Sequence, residues 1–204
     1  MIGVDLEPAA RRAAEVVAGV GDDQLSAPTP CPKYTVGDLL EHIGGFAVAF
    51  TGAASKSGGE AVSAAPDGDA ARLPDDWRTS IPAALAGLAQ AWRDPAAWTG
   101  MTRVGGVDLP GDAAGIFALD EVLVHGWDLA VATGQPYAAV DSSLYPLQGM
   151  LTALQGPDQR AARDRIFGPA IDVPADAPLL DRVIGLTGRD PAWTADRAGG
   201  KVAR

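Results

Sequence analysis

Apolar residues recur at Val36, Leu39, Leu40, Ile43, Ala47 and Phe50, the i, i+3, i+4, i+7 series of an amphipathic helix. Thr35 precedes the series as an N-cap, and Asp38 supplies the acidic half of a capping-box pattern. The same periodicity predicts a first helix over residues 7–20, with Pro8 in its first turn and Gly19 and Gly21 as stop signals. A third helix opens at Pro74, runs through Ile81, Leu85, Leu88 and Trp92, and ends at Asp94-Pro95. A fourth, capped by Asp112, reaches Gly134; a fifth covers residues 142–154; a short last one covers 178–186 and is closed by Gly188. Residues 22–34 read as a loop punctuated by Pro28, Pro30 and Pro32, and the small-residue stretch 56–73 as a long mobile loop. Met101, Val104, Val107 and Leu109 flank Gly105-Gly106, a hairpin signal. The pattern predicts an all-α fold: an antiparallel four-helix bundle with a small β-hairpin and an irregular C-terminal segment. We read residues 1–204 as a single domain, with 166–193 as a C-terminal wrap and 194–204 as a flexible tail.

The fourth helix breaks the amphipathic rule. Ile116, Phe117, Leu119, Val122, Leu123, Val124, Trp127 and Leu129 cover most of its circumference, which predicts burial. One polar stripe interrupts it: Glu121 and His125, four apart, share a face, and Asp128 falls on the same stripe. Between Asp112 and Gly134 there are four acidic residues and no lysine or arginine. A buried acidic stripe needs a cation or water; the plainer reading is that it is the solvent face.

Composition narrows the classes. The chain has 204 residues, a net charge of −10, 16 Lys+Arg against 26 Asp+Glu, one cysteine and two histidines. The acidic balance argues against nucleic acid and against an anionic membrane surface. No apolar run approaches the ~20 residues that span a bilayer, and the N-terminus lacks the order of a signal peptide. The lone cysteine demands no oxidising compartment. We expect a soluble, cytoplasmic protein, monomer or homodimer.

Both histidines then matter. His42 sits on the edge of the second helix's apolar stripe. If helices two and four face each other, His42, Glu121 and His125 converge as a His₂Glu set that suits Zn²⁺ and also accepts Fe²⁺ or Ni²⁺. Otherwise they are ordinary polar residues. Asp128 has three readings: an acceptor orienting His125, a further ligand, or a solvated carboxylate. Asp38 is assigned to capping. Cys31, in Pro-Cys-Pro before a helix N-terminus, is either a thiol activated by the dipole or a packed loop residue. The tryptophans read as core and loop anchors, and Arg103 on the hairpin as a solvated arginine or a contact for an anionic substrate.

The segment Thr-Pro-Cys-Pro-Lys-Tyr-Thr-Val-Gly-Asp-Leu-Leu-Glu-His-Ile-Gly-Gly (29–45) and the later Asp-Glu-Val-Leu-Val-His-Gly-Trp-Asp-Leu-Ala (120–130) resemble the actinobacterial DinB/YfiT-like proteins related to the metal-binding domain of mycothiol-dependent maleylpyruvate isomerase. Leu-Thr-Gly-Arg-Asp-Pro-Ala-Trp (186–193) looks like the tail of a small subfamily. The resemblance implies a DinB-like bundle and a divalent metal, usually zinc, held at positions matching His42, Glu121 and His125. It also implies a low-molecular-weight thiol, mycothiol in the isomerase, as cosubstrate. The isomerase has a further C-terminal domain, for which little chain remains after the bundle, so the metal site carries over better than the substrate. The function expected is a metal-dependent enzyme that transfers or adds a thiol such as mycothiol to a small electrophile, or a thiol-dependent isomerase. The alternative is a non-catalytic metal- or thiol-binding bundle with a stress or regulatory role.

Overall fold

The computed structural model describes residues 3–57, 67–159, 163 and 166–195. The centre of the loop expected over 56–73 and nearly all of the expected tail lie outside the described residues.

Helix α1, Glu7–Ala18, has proline in its first turn and Gly19 as C-cap, and buries Ala9, Ala10, Ala13, Val16 and Val17. Helix α2, Val36–Ser55, begins at the expected capping box. Thr35 Oγ1 accepts from the Asp38 amide at 3.3 Å, and Asp38 Oδ2 accepts from the Thr35 amide at 2.9 Å, which contributes about 1 kcal/mol. Helix α3, Trp77–Ala91, starts later than Pro74. Its ladder opens at the Asp76 carbonyl, which accepts from the Thr79 and Ser80 amides.

The hairpin pairs β1, Met101–Val104, antiparallel with β2, Val107–Pro110, in the register Val104↔Val107 to Met101↔Pro110. Gly105 and Gly106 both have positive φ, 58° and 79°, as a type I′ turn requires. Arg103 lies opposite Asp108 and pairs with it at 3.1 Å, so its guanidinium serves the hairpin. Thr102 Oγ1 donates to the Ala53 carbonyl at 2.6 Å and ties the hairpin to the end of α2.

Helix α4, Gly111–Ala132, is preceded by Pro110 at the N-cap position, and Asp112 lies inside the first turn rather than capping it. Helices α1 and α2 occupy opposite corners of the bundle, each flanked by α3 and α4. Helix α5, Asp141–Ala153, packs against α4 and against α6, Leu179–Leu186. Helix α4 is therefore covered by α1 and α2 of the bundle and by α5 together, the physical reason its sequence is apolar nearly all round. Trp77, Trp92 and Trp127 are buried core residues, as expected of anchors.

Residues 168–178 form neither helix nor strand, and the Ile171 amide binds them to the Gly185 carbonyl at 2.9 Å. Past α6 the chain turns at Gly188, φ 78°, where an added Cβ would lie 2.8 Å from the Gly168 carbonyl carbon and oxygen. Both the left-handed backbone and the close backbone neighbour demand glycine. Gly188→Ala is expected to lower stability by about 1–3 kcal/mol, read from urea unfolding; a neutral result would show that the turn re-forms freely.

Candidate metal centre

Facing turns of α2 and α4 bring His42, Glu121 and His125 together. His42 Nε2 lies 3.3 Å from Glu121 Oε2, and His125 Nε2 lies 3.2 Å from the same oxygen. One ligand atom from each residue falls within 4.8 Å of the others. Ligand bonds of about 2.0–2.1 Å set the donor atoms of a tetrahedral zinc site roughly 3.3 Å apart, so both edges fit. They are long for a charged N–H···O contact, which closes to about 2.7–2.9 Å. The His125–Asp128 contact, by comparison, is an ordinary hydrogen bond: Nδ1 donates to Oδ2 at 2.9 Å. Asp128 thus fixes the His125 tautomer and leaves Nε2 turned to the cluster.

The surroundings are dry on one side. The His42 ring meets Tyr34 at 5.1 Å, Phe46 edge-on at 5.6 Å and His125 edge-on at 4.9 Å. Both histidines are buried and Asp128 is fully so, while the Glu121 side chain keeps 26 % exposure. The solvent-face reading of the stripe is therefore incorrect: α2 covers it with His42 and Phe46, and the C-terminal segment covers Asp128 with Arg189. The stripe keeps an opening at Glu121 alone.

Charge in the cluster is strongly coupled. Burial pushes the Glu121 carboxyl up, but hydrogen bonds from His125 and His42 outweigh it and hold the group below the usual range. Burial pushes His125 down, but Asp128 and then Glu121 raise it from 6.5 to about 9. Asp128 stays ionised despite its burial because of the Arg189 charge and the His125 hydrogen bond. Asp120, one residue before Glu121, lies on a different face of α4. It is buried, its Oδ1 has no hydrogen-bond partner among the described residues, and burial followed by the Glu121 charge raises it to about 7.

A pH dependence follows for the metal-free protein. His125 is raised on folding, so its stabilising contribution is complete below 6.5 and lost as pH climbs through about 9. The Tm is expected to fall by on the order of 5–10 °C between pH 6.5 and 9 in the presence of a chelator. A scanning-calorimetry series with no decline over that window would contradict the assignment.

One residue of this cluster was not foreseen from sequence. Arg189, beyond the Gly188 turn, places Nε 2.8 Å from Asp128 Oδ1 and 3.0 Å from Oδ2, with Nη2 2.9 Å from Oδ2. The sequence carries two signals for it: the lack of a basic residue on α4 beside a buried acid, and the Leu-Thr-Gly-Arg-Asp-Pro-Ala-Trp run at 186–193. Cys31 is partly buried, and burial pushes its thiol up against the lowering effect of the Arg189 charge, which favours the packed-loop reading over dipole activation. The loop carrying it forms a cleft of about 690 Å³ with the C-terminal segment, lined among others by Lys33, Tyr34, Asp38, Asp190 and Trp193. Tyr34 belongs both to this cleft and to the wall against His42.

Among the described residues no helix is long and apolar enough to cross a membrane. The chain is similar, at 30% identity over 179 residues, to uncharacterized proteins from two strains of Mycobacterium tuberculosis; the match covers 86% of this chain and 91% of each relative. No solved structure matches it significantly. The family model described as mycothiol maleylpyruvate isomerase N-terminal domain matches residues 6–130, a span that holds His42, Glu121 and His125 and stops short of Arg189. The chain belongs to that mycothiol-related, metal-binding, DinB-like family.

Proposed function

We propose that His42, Glu121 and His125 hold a divalent metal, zinc first among Zn²⁺, Ni²⁺ and Fe²⁺, and that the protein is an enzyme using a low-molecular-weight thiol such as mycothiol against a small electrophile. The observation that carries this reading is the spacing of the three donor atoms, two edges of 3.2 and 3.3 Å about one carboxylate oxygen. The donor set is right for zinc, two imidazoles and a carboxylate, with room left for an exogenous ligand. When bound, such a metal favours the thiolate of a coordinated thiol at neutral pH.

The chain's own groups do the rest. Asp128 accepts the His125 Nδ1 proton and keeps Nε2 as the donor atom. Phe46 and Tyr34 shield the His42 ring from water. Tyr34 also lines the cleft, where Lys33 and Trp193 offer a cation and a flat apolar face to the organic part of a thiol or its acceptor. We place the work in the cytoplasm, where such thiols stay reduced.

The test begins with metal analysis of protein purified without an affinity tag, followed by mycothiol binding and turnover with α,β-unsaturated and haloalkyl electrophiles. Stoichiometric metal with thiol consumption above the uncatalysed rate is expected. Metal-loaded protein that binds mycothiol without turnover would favour the binding-module alternative, and absence of metal uptake would sink the site.

A further inference from the structure

We propose that Arg189 is a positioning residue of the metal centre, acting through Asp128 on His125. The inference rests on the reading of His42, Glu121 and His125 as a metal site, and it extends that site to the C-terminal segment, which the family match does not reach.

One oxygen atom joins His125 and Arg189. Asp128 Oδ2 accepts from His125 Nδ1 at 2.9 Å, from Arg189 Nη2 at 2.9 Å and from Arg189 Nε at 3.0 Å, while Oδ1 accepts from Nε at 2.8 Å. A carboxylate held on both oxygens by a planar guanidinium cannot rotate about its last bond without breaking the fork. The oxygen that sets the plane of the His125 ring is therefore itself set by Arg189.

Charge points the same way. Asp128 is fully buried, and an ionised carboxylate there needs a compensating charge. An imidazole bound to a metal through Nε2 is neutral and gives Asp128 a hydrogen bond without a charge. The Arg189 guanidinium, its side chain only 12 % exposed, supplies the positive charge from 61 residues away.

The chain delivers the guanidinium by specific means. Gly188 makes the left-handed turn, and Arg189 Nη1 donates back to the Thr187 carbonyl at 3.3 Å. The following residues Asp190 and Trp193 line the cleft. One short turn thus contributes an inward arm to the metal centre and an outer wall to the cleft.

A purely structural clamp would hold the C-terminal segment down and leave the metal affinity of the folded protein unchanged. Zinc affinity, by competition with a chromophoric chelator, and the rate of zinc release separate the two. Arg189→Gln is expected to weaken zinc binding about 10-fold and to speed release, the low end of the scale for losing a direct outer partner of a metal-bound histidine, because Arg189 acts through Asp128. Arg189→Lys, which keeps the charge without the planar fork, should fall between Arg189→Gln and wild type.

The visible bands of the cobalt-loaded protein should change with Arg189→Gln. They should not change with Val183→Ala, which loosens buried α6 packing and leaves Arg189 in place. If Arg189 works through Asp128, Arg189→Gln combined with Asp128→Asn binds zinc no more weakly than the weaker single variant. Wild-type affinity and spectrum in both Arg189 variants, or additive losses in the double variant, would overturn the proposal while leaving the metal site standing. Failure of wild-type protein to take up zinc or cobalt would overturn the site and this inference with it.

Discussion

Replacing any one of His42, Glu121 or His125 by alanine is expected to weaken zinc binding by at least roughly a hundred-fold. Zinc held by protein ligands is bound with about 10–16 kcal/mol, so each of three ligands carries several kcal/mol, and about 2.7 kcal/mol already makes a hundred-fold. Glu121→Ala should be the most damaging of the three. Its Oε2 is the oxygen that both histidines approach, at 3.3 and 3.2 Å, and without it two buried imidazoles face each other with no anion between them. Glu121→Gln separates charge from shape, because the amide keeps one oxygen and loses the negative charge. It should retain the fold and bind zinc more weakly than wild type. Affinity is read by chelator competition on tag-free protein. Equal zinc binding in wild type and Glu121→Ala would mean that the metal sits elsewhere or that none is bound specifically.

The residues that produce this centre were legible where the signal was local. Thr35 and Asp38 announce the start of α2 because a cap is made by residues three apart, and the same frame fixes the face on which His42 lies. Glu121 and His125 are one helical turn apart, so their shared direction follows from helix geometry alone. The apolar circumference of α4 predicts burial, although which elements cover it does not follow from periodicity; α1, α2 and α5 do so, with Arg189 over Asp128. Three kinds of information were not local. The Arg189–Asp128 fork joins residues 61 apart, and no spacing rule reaches that far. The state of Cys31 depends on how deeply its loop is packed, and Pro-Cys-Pro reads the same whether exposed or covered. The N-termini of α3 and α4 shifted by a residue or more because proline and aspartate are both good starting residues and compete for the same positions.

Asp128→Ala should destabilise the metal-free protein by about 3–5 kcal/mol, the cost of removing one partner from a buried ion pair. The loss comes from what remains. Arg189 would keep its charge in a site where its side chain is only 12 % exposed, and His125 would lose the acceptor of its Nδ1 proton. The pair as such contributes far less, because desolvating both charges offsets most of their attraction. Replacing both charges by apolar side chains of similar size, Asp128→Leu with Arg189→Met, should therefore recover much of the stability lost in Asp128→Ala. It should not recover zinc affinity, since His125 still lacks the oxygen that orients it. Urea unfolding in a chelator and zinc competition on the same three proteins test both halves. If the apolar pair restored zinc binding together with stability, the fork would be packing alone. If stability stayed low in the double variant, the ion pair would be holding the C-terminal segment by more than charge compensation.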